Sequence, residues 1–98
     1  MELIAVSKAL SNETRLRLLK IIATEAGSAT GIHQRYVDEY EDQKHRESVY
    51  RALENLVDAE LLTKEYQQDA GLVYQLAHEQ VVIDLPAADI DPVSADVE

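Results

Sequence analysis

QKHRESVYRALENLVDAELLTKEYQQDAGLVYQLA, residues 43–77, carries two periodicities in succession. Val49, Leu53, Leu56 and Val57 recur at helical spacing, so one face of the first half belongs to a core. Leu61–Tyr66 and Leu72–Ala77 then read as strands around a five-residue loop, Gln67–Gly71. A helix whose leading end is polar and basic therefore passes directly into a hairpin. If Val49, Leu53 and Leu56 face inward, Ser48, Arg51 and Asn55 face outward, flanked by Glu47, Tyr50 and Glu54.

The same spacing predicts three helices upstream. Residues 2–10, ELIAVSKAL, turn Leu3, Ile4, Val6 and Leu10 toward the interior. Ser11 or Asn12 caps a second helix over 12–26. Its apolar stripe is Leu16, Leu19, Ile22, Ala23 and Ala26, widened by Leu18 and Ile21; Arg15, Arg17, Lys20 and Glu25 are left for solvent, and Gly27 stops the helix. Ser28 or Thr30 begins a third helix burying Ile32, Tyr36, Val37 and Tyr40. Asp38, Glu39, Glu41 and Asp42 stand at the end of that helix where carboxylates are disfavoured. Asp42 is better used as N-cap of a fourth helix from about Gln43 to Ala59, which makes the 42–44 region the turn between them. Val81–Leu85 is a β-branched run suited to a third strand or a docked arm. From Pro86 the chain is polar, acidic and interrupted by Pro92, a composition that does not fold alone. The expected fold is mainly α with a small β-hairpin (α+β). It is a winged helix-turn-helix of four helices plus a two- or three-stranded wing over 1–77, followed by an acidic C-terminal arm, 78–98.

At 98 residues this is one small domain, of a size that buries roughly 60–65% of its unfolded surface. The absence of Cys excludes disulfides, thiolate zinc sites and Cys nucleophiles. No signal peptide and no apolar run of spanning length is present, so the expectation is a soluble cytoplasmic chain with no membrane association. His33, His45 and His78 are scattered, which supports no metal site, and no spacing marks a nucleophile with its base. The chain reads as a non-enzyme with no cofactor and no identifiable small-molecule effector.

The net charge is −10, with 19 acidic residues against 9 Lys and Arg. Residues 78–98 hold six acids and no Lys or Arg, a charge of −6 that leaves −4 for 1–77. Within 43–51 the sign reverses, since Lys44, Arg46 and Arg51 face only Glu47. Basic charge is concentrated at the front of the fourth helix. Net charge governs solubility rather than fold, so an acidic surface suits a salt-loving host; the alternative is a basic protein partner.

SKALSNETRLRLLKIIA, residues 7–23, resembles the opening of ArsR-like winged-helix regulators. SVYRALENLVDAELLTK, residues 48–64, resembles the recognition helix and first wing strand of ArsR-, PadR- and GntR-type regulators. TGIHQRYVDEY, residues 30–40, is similar to the winged-helix domain that ends archaeal origin-recognition proteins. These resemblances imply a helix-turn-helix regulator that binds duplex DNA. Three departures stand out: Glu60 replaces the Gly common at the end of the recognition helix, the wing tip has no Lys or Arg, and metal-sensor ligands are missing.

The candidate DNA contacts follow. N-terminal residues of a recognition helix reach base edges, which selects Lys44, His45, Arg46, Ser48, Tyr50 and Arg51. Thr30 and Gly31 open the third helix, where free N–H groups suit a phosphate, and Arg35 is the best backbone candidate on it. Lys64, Gln67 and Gln68 lie on the wing. The ordinary alternative is a solvated helix face held by pairs such as Glu47 with Arg51. Leu3, Ile4 and Val6, with Val81, Val82, Ile83 and Leu85, form an apolar surplus suited to a homodimer interface. The functional expectation is a dimeric transcriptional regulator acting as a repressor. Its rivals are a winged-helix protein-interaction module and a replication or plasmid-maintenance DNA-binding factor.

Overall fold

The computed structural model describes residues 2–84 and 89–92, with side chains described through residue 82. Four helices and two small sheets follow in the order α1 Leu3–Leu10, α2 Glu13–Thr24, β1 Gly27–Ser28, α3 Ala29–Tyr40, α4 Arg46–Asp58, β2 Leu62–Gln67, β3 Gly71–Leu76, β4 Val81–Asp84 and β5 Asp89–Pro92. β3 is central in an antiparallel sheet of order β1-β3-β2, with Gly27 opposite Tyr74 and Lys64 also opposite Tyr74 from the other side.

Each of the first three helices starts on a side-chain acceptor, which satisfies N–H groups that the helix leaves open. Glu2 accepts from Ile4 and Ala5, Asn12 from Arg15 at 3.0 Å, and Ser28 from Gly31 at 3.2 Å. The core is built from Val6, Leu18, Ile22, Ile32, Tyr36, Val49, Leu53, Leu56, Leu62 and Tyr74, all fully or almost fully buried. Burying each large apolar side chain contributes about 1.5–3 kcal/mol, so α4 is anchored by Val49, Leu53 and Leu56 as its spacing predicts.

Several expectations change. α2 ends at Thr24, and Gly27 is a strand residue rather than a helix stop. The buried stripe of α2 is centred on Leu18, Ile21 and Ile22, so Leu16 is 48% exposed and Ala23 and Ala26 face solvent. α3, α4 and β3 all pack on α2, and they set which side of it is covered. Ile4, expected inward, is 64% exposed. The third wing strand comes from β1 rather than from Val81–Leu85; β4 instead pairs with β5, which lies beside α1. The 89–92 segment, of a composition that does not fold alone, is a strand because β4 supplies its partner. Leu85 lies outside the described residues.

The largest local revision concerns the turn before α4. Asp42 is not its N-cap; the helix begins at Arg46 with His45 in the cap position and no side-chain cap bond. Asp42 is drawn away because its Oδ2 accepts from the Tyr36 hydroxyl at 3.0 Å. The turn therefore runs over 41–45, entered through Glu41 at φ 51. α4 closes with Glu60 in the same left-handed region, at φ 65, where Leu61 N–H reaches the Leu56 carbonyl and Glu60 N–H the Val57 carbonyl. That is the helix-ending motif normally built on Gly, formed here on a Glu. A Cβ in left-handed backbone costs roughly 1–2 kcal/mol, partly offset in Gly by chain entropy. Glu41→Gly is therefore expected to raise stability by about 0.5–1 kcal/mol, measured by urea denaturation.

Candidate nucleic-acid interface

α4 presents one anchored and one open face. Val49, Ala52, Leu53 and Leu56 point into the core, while His45, Arg46, Glu47, Ser48, Tyr50, Arg51 and Asn55 are exposed. Arg46 and Arg51 make no ion pair or hydrogen bond among the described residues, and the Glu47–Arg51 pair is not formed. Lys44 is half-exposed, with its Nζ 3.8 Å from Asp42 Oδ2. An open groove along α4 on its wing side is lined by Arg46, Glu47, Tyr50, Arg51 and Glu54.

Two sets of contacts fix the front of this helix. Tyr36, buried on α3, donates to Asp42 and accepts from Arg17 Nη1 at 3.3 Å. Arg17 also pairs with Glu13 and lies 4.6 Å over the Tyr40 ring, a cation–π contact. Its guanidinium, expected to be in solvent, thus ties α2 to the turn. Separately, His33 Nε2 and the Lys44 carbonyl are 2.7 Å apart, so the ring N–H donates to the turn's backbone. The His33 ring is half-buried there.

A third set fixes the helix against the wing. Tyr74, fully buried on β3, donates to Glu54 Oε2 at 2.7 Å, and Lys64 Nζ donates to Oε1 at 3.0 Å. These bonds hold the Glu54 carboxyl below its ordinary value of 4.5, the Tyr74 bond foremost. Burial, then the Glu54 bond, pushes the Tyr74 hydroxyl far up. A lowered carboxyl contributes stability that is complete above its unfolded pKa and is lost as pH falls through the folded one. A raised phenol contributes below its unfolded value of 10.0 and loses that contribution as pH rises through the folded one. Glu54→Gln is expected to flatten the acid side of the stability profile below about pH 4.5, read from thermal melts across a pH series; an unchanged acid limb would remove Glu54 from it.

The expected contacts therefore divide. His45, Arg46, Ser48, Tyr50 and Arg51 stand together on the open side of α4, with Lys44 at its entrance. Thr30, Gln67 and Gln68 are exposed on α3 and at the wing tip. Arg35 and Lys64 already have partners within the fold. Arg35 donates to the Ile21 and Glu25 carbonyls at 2.6 and 2.7 Å, closing the end of α2, and Lys64 is held by Glu54. They are engaged because an open helix end and a carboxylate sit within their reach. Of the apolar dimer set, Val6 is entirely buried in the core, and Leu3 and Val81 pack partly on it. Only Ile4 and Val82, the latter 51% exposed, remain open among those with described side chains; Ile83 has no described side chain. The sequence reading missed Tyr66 and Leu72, an exposed cross-strand pair on the wing.

No protein-family model matches the sequence, and no curated protein matches it. Solved structures do. The Vibrio cholerae ferric uptake regulator, described for a structural rearrangement of its DNA-binding domains, aligns at a TM-score of 0.59 and 19% identity, over 87% of this chain and 69% of that one. A manganese uptake regulator aligns at 0.58 and 18%, over 87% and 65%, and a zinc-bound manganese uptake regulator at 0.60 and 19%, over 87% and 67%. The fold is a winged helix-turn-helix. The chain spans about two thirds of the length of these regulators. Among the described residues, no group of acidic, His or Cys side chains is placed to hold a metal, and no helix is long and apolar enough to cross a membrane.

Proposed function

We propose that this winged helix is a sequence-specific DNA-binding transcriptional regulator that reads the major groove with α4. The observation that carries the reading is the state of its cations. In a chain with 19 acids and 9 bases, Arg17, Arg35 and Lys64 are engaged inside the fold, yet Arg46 and Arg51 stay exposed on one helix and, among the described residues, unpaired. Lys44, His45 and Arg46 stand at the end of α4 where cations weaken an isolated helix. An anion there removes that penalty, and a phosphate-lined groove is such an anion. The fold shared with metal-uptake regulators, and the regulator-like runs at 7–23 and 48–64, support the same reading.

The proposed form is a homodimer acting as a repressor on a palindromic operator, with half-sites about 34–36 Å apart. Exposed Ile4 and Val82 support association, and light scattering at micromolar concentration should give twice the chain mass. The deciding experiment is selection from a random duplex library in molar KCl. Enrichment of a short palindrome is expected. With few free cations the salt slope is shallow, because each neutralised phosphate contributes about 0.9 to it. If no duplex is enriched, the DNA reading fails and the acidic surface points to a basic protein partner.

A further inference from the structure

We propose that the cleft between the first turn of α2 and the outward side of α4 seats a phosphate of the DNA backbone. The inference deepens the reading above by assigning one contact that the recognition helix alone does not supply. The cleft, of about 220 Å³, is walled by Thr14 and Arg15 on α2, Lys44 in the turn, and Ser48, Arg51 and Asn55 on α4. Three of the chain's nine cations meet there, and no carboxylate lines the wall. Four other clefts among the described residues each carry at least one acid: Glu47 and Glu54, Asp38 and Glu39, Asp58, and Glu79. In so acidic a chain, a cationic wall free of carboxylates runs against composition.

The cations differ in a useful way. Arg15 is already aimed: its Nε and Nη2 each donate at 2.8 Å to the Ala9 and Lys8 carbonyls at the end of α1. Those acceptors fix the guanidinium without cancelling its charge, so little side-chain entropy remains to be lost on binding. Lys44 has Asp42 as its nearest anion, at 3.8 Å, beyond hydrogen-bond distance. Arg51 is unpaired. The hydroxyls of Thr14 and Ser48 and the Asn55 amide add neutral donors. Cations with hydroxyl and amide donors are the chemistry that takes phosphate oxygens. Arg51 borders both this cleft and the wing-side groove, so α4 stands as a ridge between them. A ridge lying in a major groove has a backbone strand along each flank, and this cleft is the flank facing α2.

The test places one negative charge in the cleft and one elsewhere. Thr14→Glu and Asn55→Asp each put a carboxylate on its wall; Ser7→Glu makes the same charge change on the exposed side of α1. Thermal melts confirm that each variant folds. Binding of the selected duplex is measured against KCl, and amide shifts are followed with inorganic phosphate alone. Both cleft variants are expected to bind at least about tenfold more weakly and to lower the salt slope by about 0.9, the value of one phosphate, with Ser7→Glu within about twofold of the parent. Inorganic phosphate is expected to shift the Thr14, Ser48 and Asn55 amides in the parent and not in Asn55→Asp. Equal losses in all three variants would overturn the proposal. If phosphate shifts these amides but no duplex binds, the DNA reading falls and the cleft is a site for a free phosphate ligand. If neither binds, the cleft is no anion site.

Discussion

Arg51→Ala is expected to bind the selected duplex about 10–100-fold more weakly than the parent, with no loss of melting temperature. The magnitude follows from what Arg does at a base edge: a bidentate pair with guanine discriminates by about 1–3 kcal/mol, and 1.4 kcal/mol is about tenfold in affinity. The unchanged stability follows from the fold. Arg51 is exposed, bonds to nothing among the described residues, and lies on a helix whose anchoring is done by Val49, Leu53 and Leu56. Alanine is the better helix former, so α4 itself gains slightly. Lys20→Ala is the control, because Lys20 is also exposed and loses the same charge from α2. A loss at Arg51 that Lys20 does not share, and that weakens on non-cognate duplex, identifies base readout. Equal small losses at both positions would mean that Arg51 acts only through net charge, and α4 would lose its role as reader.

Tyr36→Ala is expected to cost about 3–5 kcal/mol, the range for deleting a buried aromatic ring. For a domain whose whole stability is about 5–15 kcal/mol, that is a large share of the total. Tyr36 is fully buried, stands 5.3 Å from the Tyr40 ring, and connects Arg17 on α2 to Asp42 in the turn. Tyr36→Phe separates the two parts of this role. It keeps the ring volume and removes only the hydroxyl, leaving Arg17 and Asp42 at 3.7 Å to face each other directly. Its cost should be about 1–3 kcal/mol, that of a part-buried hydrogen-bonded group losing its partner. Paired denaturation curves give both values. A Tyr36→Ala chain within about 1 kcal/mol of the parent, well below the cavity range, would contradict the packing of α2, α3 and α4 on this ring. Because Asp42 is held by Tyr36 rather than by α4, the Phe variant should also loosen the 41–45 turn and weaken DNA binding more than its stability loss suggests.

The accuracy of the sequence reading differs from element to element for physical reasons. α4 and the wing are legible because their local signals are clear: apolar residues at helical spacing through 49–57, then two short strand-forming runs around a Gly-terminated loop. Asn12 and Ser28 are each one of two caps the sequence offers, because a capping side chain acts on its own next turn. The face of α2 is misplaced by a fraction of a turn, since a stripe as wide as Leu16, Leu18, Leu19, Ile21 and Ile22 does not say which of its members the neighbouring helices cover. Asp42 is misassigned for a related reason. A carboxylate before a helix is a good local cap, but a buried tyrosine hydroxyl six residues earlier takes it instead.

The chain order of apolar and polar residues by itself determined the element types, the winged helix-turn-helix layout and the cluster of positive charge at the front of α4. These are local properties, set by periodicity and by side chains acting on nearby backbone. Only the tertiary structure decided which cations remain available. Arg17, Arg35 and Lys64 look as free in the sequence as Arg46 and Arg51 do, yet the fold brings carbonyls, carboxylates and an aromatic ring to the first three and, among the described residues, no partner to the last two. Whether a charge is neutralised depends on what lies within a few ångströms of it, and packing places those neighbours from distant parts of the chain.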